Sequence, residues 1–165
     1  MMTGPYNRAV CSCSASEANS GPPRLLGLDV GHKRIGMAVS DPLGITAQGI
    51  ETLQRRNKRT DFQQLAKVIR NYHVSGIVVG LPLRLSGSAS AQTEKVTAFA
   101  EELRTRFQLP VHLWDERLTS VEANRLMRDA DASIEQRAAS VDRMAATLIL
   151  QSFMDAHAAQ QDRNR

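Results

Sequence analysis

Lysine is scarce in this 165-residue chain: Lys33, Lys58, Lys67 and Lys95 stand against 17 arginines. Aromatic residues make up 4%, and there are two cysteines, Cys11 and Cys13. Two thiols are too few for a disulfide framework, and without a second pair they read as an incidental tail pair rather than a zinc site. So few aromatics leave core and ligand contacts mostly to aliphatic side chains. No stretch approaches the roughly 20 apolar residues of a membrane span, and the N-terminus lacks the apolar core of a signal peptide. His32, His73, His112 and His157 form no ligand spacing, and Ser40 and Ser120 have no histidine motif nearby to make a nucleophile–base pair. These absences describe a cytoplasmic domain without membrane attachment.

What is present is enough for one packed domain. The chain is 42% hydrophobic, and folding at this length buries roughly two-thirds of the unfolded surface. The net charge of +4 excludes a histone-like polycation but leaves room for a local basic surface. That surface is Arg55-Arg56-Asn57-Lys58-Arg59. Outside it and residues 1–23, 16 basic residues face 16 acidic ones, so one loop carries the whole excess. Arg55 and Arg56 are its candidate phosphate contacts, a solvated turn being the plainer alternative.

Residues 1–23 are rich in Ser, Ala, Gly, Asn and Pro and lack apolar periodicity, which predicts a disordered extension. The domain is expected over 24–157, with a flexible tail over 158–165. Arg24–Val30 reads as a buried strand interrupted by one carboxylate. Ile35, Met37 and Val39 alternate in a second strand, and a third extended piece runs from Ile45 to Leu53, giving an antiparallel meander. Thr60-Asp61-Phe62-Gln63 is a capping-box pattern opening a helix with Phe62, Leu65, Ile69 and Tyr72 on one face. Gly76–Gly80 is the next buried strand. A Ser/Gly-rich loop over Ser86–Ser90, a plain connector or a flap, leads to a helix whose Val96, Phe99, Ala100, Leu103 and Phe107 have core spacing. Val111–Trp114 is another strand. Thr119–Glu122 repeats the capping-box pattern ahead of a helix burying Ala123, Leu126 and Met127, and Ser140 is placed to cap the last helix. The order β-β-β-α-β-α-β-α-α predicts an α/β fold with a mixed five-stranded sheet and helices on its faces.

Three acidic residues stand out. Asp29 lies inside a strand between Leu28 and Val30, where an unpaired charge is costly, so it needs a cation, hydrogen-bond donors or a place at the strand's solvent-facing end; a metal ion is one reading and an ion pair with Lys33 or Arg34 the other. Glu116 follows a strand's C-terminal end, where α/β folds gather ligands, unless it merely pairs with Arg117. Asp142 suits the first turn of a helix through the dipole, yet it shares a face with Ala146, Ile149 and Phe153 and so points toward the sheet. Three converging carboxylates would repel one another without cations between them, and hard oxygen donors suit Mg²⁺ or Mn²⁺ rather than Zn²⁺. Such a cluster suggests metal-assisted phosphodiester hydrolysis.

Leu28-Asp29-Val30-Gly31-His32-Lys33-Arg34-Ile35-Gly36, with Ser40-Asp41-Pro42, resembles the opening of the YqgF family, also called RuvX or Holliday-junction-resolvase-like proteins. Gly80-Leu81-Pro82-Leu83 with Gly87 and Gln92, Asp115–Thr119, and Asp142–Ala146 followed by Leu148–Gln151 resemble its remaining motifs, in order across residues 25–155. The resemblance implies a ribonuclease H-like fold and a nuclease maturing the 5′ end of precursor 16S ribosomal RNA, with a resolvase-like role on branched DNA also proposed for the family. It implies Asp29, Glu116 and Asp142 as metal-binding catalytic carboxylates and Lys33, Arg34 and Arg117 as phosphate contacts. Nucleases of this fold often use a fourth carboxylate, for which Asp41 and Asp115 are the candidates. Ile134–Ala139 is less basic than the family pattern, and residues 1–23 lie outside it.

Two other classes compete. One is a nucleic-acid-binding ribosome-assembly or transcription factor that does not cleave. The other is an actin-like ATPase, whose phosphate hairpin Asp29-Val30-Gly31 to Ser40-Asp41 also resembles; its two-lobed architecture needs a longer chain. The expected partner is nucleic acid, structured RNA or branched DNA, bound by a monomer or homodimer.

Overall fold

The computed structural model describes residues 23–84, 86–118 and 134–163. Strand β1 (Arg24–Val30) is central, pairing antiparallel with β2 (Arg34–Ser40) and parallel with β5 (Val74–Leu81). On the outer side of β2 lie β3 (Ala47–Gly49) and β4 (Leu53–Gln54), and β6 (Val111–Asp115) joins β5 in parallel. The sheet order is β3-β2-β1-β5-β6, with β4 also on β2. Between β4 and β5 comes α1 (Lys58–Asn71), between β5 and β6 α2 (Ala91–Phe107), and α3 (Ile134–Arg163) closes the described chain. This is the mixed α/β, ribonuclease H-like arrangement expected.

Four details differ. The expected third strand is two short ones, so the sheet has six strands. Between them Thr52 Oγ1 donates to the Ala139 carbonyl of α3 at 3.1 Å, drawing the chain off the strand path. Helix α1 is capped by Asn57, whose side chain accepts from the Thr60 amide at 2.9 Å, so Thr60 is inside the helix rather than its cap. Ser140 likewise lies within α3. That helix runs on to Arg163, past residue 157 where the domain was expected to end. The pattern at Thr119–Glu122, its following helix and residues 1–22 lie outside the described residues. A capping box not anticipated from the sequence forms at the start of α2, between Ser90 and Thr93.

The period-2 alternation of the strands divides the core in two. Leu26, Leu28, Val30, Ile35, Met37, Val39, Ile77 and Val79 face α1 and α2 with Phe62, Leu65, Phe99 and Leu103. Ala38 and Val78 face α3 with Ala146, Ile149, Leu150 and Phe153. Asp29 alternates onto this second face, because Leu28 and Val30 take the first.

Helix α3 sits unusually low on its face, because glycines floor it. A Cβ at Gly27 would stand 2.7 Å from Leu150 Cβ and 3.0 Å from the Ala146 carbonyl oxygen, and one at Gly36 would overlap the Asp142 carbonyl. These are backbone-level contacts that no side-chain rotation can relieve. Gly36→Ala is expected to cost on the order of 2 kcal/mol through overpacking, read as a lower urea midpoint. An unchanged midpoint would mean that α3 lifts freely.

Candidate active site

At the C-terminal ends of β1 and β5 the α3 face carries a cleft of acidic and basic side chains. Asp29 stands opposite Gly36 in the β1–β2 register. Glu116 opens the short 3₁₀ turn (Glu116–Leu118) after β6, one strand removed from β1. It reaches across because the residue between is Gly80: a Cβ there would be 2.7 Å from Glu116 Oε1. The two carboxyls hydrogen-bond to each other, a contact that lowers Asp29 and raises Glu116. Burial first, then the Asp142 charge, pushes Asp29 up to about 6, and burial, then the Asp29 and Asp115 charges, pushes Glu116 up to about 7.

Asp142 enters from α3 and accepts a hydrogen bond from Arg34 Nε at 2.7 Å, both side chains half-buried. Its charge acts on Asp29, but its oxygen is committed to the guanidinium. The ion pair considered for Asp29 with Lys33 or Arg34 is thus made by Asp142 instead. Among the described residues no group of three His, Cys, Asp or Glu side chains is arranged to hold a metal ion. The donor chemistry nevertheless suits one: two desolvated, hydrogen-bonded carboxyls are stabilised when a hard divalent cation replaces the proton between them, and a third carboxylate, Asp142, stands close enough to raise Asp29.

The remaining predicted residues separate by role. Lys33 is exposed on the turn after β1. Arg117 does not pair with Glu116; it grips Asp115 through Nε at 2.9 Å and Nη2 at 2.6 Å, holding that carboxyl below its usual range. Its Nη1 also lies 3.2 Å from the Cβ position of Gly87, in the Ser/Gly-rich loop, where φ is +80°. Asp41, a candidate fourth carboxylate, instead closes the β2–β3 turn by accepting from the Ile45 and Thr46 amides at 2.7 and 2.9 Å.

The basic loop divides. Arg55 points inward: Nη1 donates to the Gly31 carbonyl at 2.8 Å, Nε reaches Asp61 at 3.4 Å, and the guanidinium lies over the Phe99 ring. Its amide donates to the Lys33 carbonyl at 2.9 Å. Arg56 is exposed and gives only its backbone amide to Asp61. Asp61, 2% exposed, is a residue the sequence pattern hid among capping signals; its signal is a carboxylate on the apolar face of α1. Gln92, named in the sequence only as part of a motif, adds a second buried contact: its Nε2 donates to the Val30 carbonyl at 3.3 Å, while its buried Oε1 has no hydrogen-bond partner among the described residues. Val30 and Gly31, the two residues after Asp29, are thereby clamped from α2 and from β4.

Both carboxyls of the shared pair have pKa values raised above those of the unfolded chain. The stability they contribute is therefore present below about pH 4 and lost as pH rises through about 6 to 7. Metal-free protein should be less stable at pH 8 than at pH 5, by on the order of 2 kcal/mol. Asp29→Asn should flatten that slope, as followed by thermal melts. A pH-independent melt in the parent protein would contradict the shared proton. For the inward arginine, Arg55→Met should lower the melting temperature by several degrees, on the scale of a broken buried ion pair, while Arg56→Met leaves it unchanged.

The family model described as "RuvX: Holliday junction resolvase" matches residues 23–156. A Koribacter versatilis protein described as "Putative pre-16S rRNA nuclease" is 59% identical over 132 residues, 80% of this chain and 86% of that one. A Moorella thermoacetica protein with the same description is 50% identical over 132 residues, 80% of this chain and 94% of that one. Among solved structures, that of Thermus thermophilus RuvC is similar with a TM-score of 0.48 at 11% identity, covering 82% of this chain and 96% of that one. With a family match across nearly all of the described sequence and relatives at this identity, the chain belongs to the RuvX family.

Proposed function

We propose that this protein is a metal-dependent endonuclease that hydrolyses phosphodiester bonds, acting in 5′-end processing of precursor 16S ribosomal RNA. The observation that carries the reading is the proton-sharing Asp29–Glu116 pair with Asp142 beside it, at the C-terminal edge of the central strands and ringed by Arg34, Lys33 and Arg117. Structural carboxylates are normally neutralised by a nearby cation, as Asp61 is by Arg55. Asp29 and Glu116 are desolvated and hydrogen-bond to each other, an arrangement suited to binding a cation.

Asp29, Glu116 and Asp142 would hold Mg²⁺ or Mn²⁺, with Arg34 giving up its hold on Asp142. Such an ion supplies an activated water and stabilises charge developing on the phosphate. The protein's own groups do the rest. Glu116 releases its proton when the site is loaded. Arg34, once free of Asp142, is positioned to meet a phosphate oxygen, and its planar fork suits that geometry. Lys33 adds an exposed charge beside it. Arg117, held by Asp115 close to Gly87, adds a further cation beside Glu116. The clamps on Val30 and Gly31 keep Asp29 in place while charge moves around it. Nucleic acid is the partner this surface fits, and soluble cytoplasmic action is consistent with described helices that are too short or too polar to cross a membrane.

The family's descriptive name favours a second substrate, a four-way DNA junction, which the same chemistry would serve. The test is cleavage of precursor 16S RNA and of a four-way DNA junction, each with Mg²⁺ and with Mn²⁺. Asp29→Asn, Glu116→Gln and Asp142→Asn should each lower the rate by on the order of 10²-fold or more, the scale of several kcal/mol of lost charge stabilisation. Precursor RNA should be the better substrate. Equal cleavage by parent and variants would mean the activity is foreign to this site.

A further inference from the structure

Helix α1 carries Lys58, Arg59, Lys67 and Arg70 and one acidic residue, Asp61. Asp61 is buried beneath the Arg55 side chain and the Arg56 amide, so it neutralises nothing on the outer surface. Lys58 turns onto α2, pairing with Glu102 at 2.6 Å. At 100° per residue, Arg59, Gln63, Lys67 and Arg70 fall within about 80° of one another, on the side opposite Phe62, Leu65 and Ile69. All four are exposed. An ordinary solvated helix mixes its signs, as α2 does with Glu94, Glu101 and Glu102 against Lys95, Arg104 and Arg106. The outer face of α1 has cations and no carboxylate.

The stripe also has a direction. The Arg55 amide and side chain hold the Lys33 and Gly31 carbonyls, so α1 starts beside the turn that follows Asp29. From Arg59 to Arg70 it extends about 16 Å along the helix axis, away from the cleft. It borders a surface cavity of about 420 Å³ lined by Thr60, Gln63, Gln64, Ala66, Lys67 and Arg70. Beside the cations, that lining offers a hydroxyl and two amides, all capable of donating to phosphate oxygens.

We propose that the outer face of α1 is a track for the phosphodiester backbone of the nucleic-acid substrate, gripping the segment that leads away from the scissile bond. The proposal rests on the nuclease reading given above. A duplex strand rises about 3.4 Å per phosphate, so roughly five phosphates pass along the stripe. Contacts of this kind set register and affinity without reading sequence. They would let a small domain hold a long substrate while only one bond meets the carboxylates.

Lys67 and Arg70 are the members farthest from the cleft and test the track without touching it. In a cleavage-silent Asp29→Asn protein, Lys67→Gln/Arg70→Gln keeps good helix formers at both positions. Binding of a labelled precursor 16S RNA stem and of a four-way DNA junction is measured between 50 and 200 mM salt, a range of about fourfold that resolves phosphate contacts. The slope of log affinity against log salt should fall by about 1.5, and affinity should weaken about tenfold at the middle of that range. A control pair with the same charge loss elsewhere, Lys95→Gln/Arg163→Gln, should stay within about twofold of the parent. An unchanged slope in the α1 variant, or an equal loss in the control, would overturn the track and leave the nuclease reading standing. A parent that binds neither nucleic acid in a salt-dependent way would overturn both.

Discussion

Backbone-to-backbone contact between α3 and the sheet is the constraint on which the cleft depends. Helices usually rest on sheets through side chains. Here Gly27 and Gly36 leave the floor bare, and α3 descends until the Asp142 and Ala146 carbonyls meet the strands. Asp142 reaches the level of Asp29 for that reason. Gly80 does the same for Glu116, removing the side chain that would stand between strands β1 and β6. The three acidic residues come from distant parts of the sequence, and it is the missing side chains between them that allow them to meet.

Proximity then creates the electrostatic problem that defines the site. Two desolvated carboxyls cannot both ionise cheaply, so one proton is shared and both pKa values rise. The fold supports this unfavourable arrangement from below. Gln92 and Arg55 hold the two carbonyls after Asp29, and Asp61 holds Arg55. On the proposed reading such support would matter, because a carboxylate that ligates an ion must keep its position as charge arrives.

Much of this was readable in the sequence, and the reasons for the misreadings are specific. Asp29 stood out because a carboxylate interrupting an apolar strand demands an explanation. Its face followed from alternation alone, since Leu28 and Val30 fix it opposite the α1–α2 core. Asp142 was legible as inward-facing through Ala146, Ile149 and Phe153, although the helix begins before the serine taken as its cap. Arg55 was misread because a run of like charge carries no periodic signal, and only tertiary contact with Gly31 and Asp61 separates it from Arg56. The Asp115–Arg117 grip was missed for a related reason: neighbours one and two apart in a turn choose partners by local backbone geometry. The third strand divided because a backbone carbonyl on α3, that of Ala139, distant in sequence, accepts a competing hydrogen bond from the Thr52 side chain.

The Arg34–Asp142 bond has a further consequence for how ligands can arrive. Asp142 is answered by Arg34 and Asp115 by Arg117, so two of the four acidic residues described at the cleft are already paired with arginines. On the proposed nuclease reading, cation and nucleic acid would not be forced into a fixed sequence, because either one, on binding, would compete for the same Arg34–Asp142 bond.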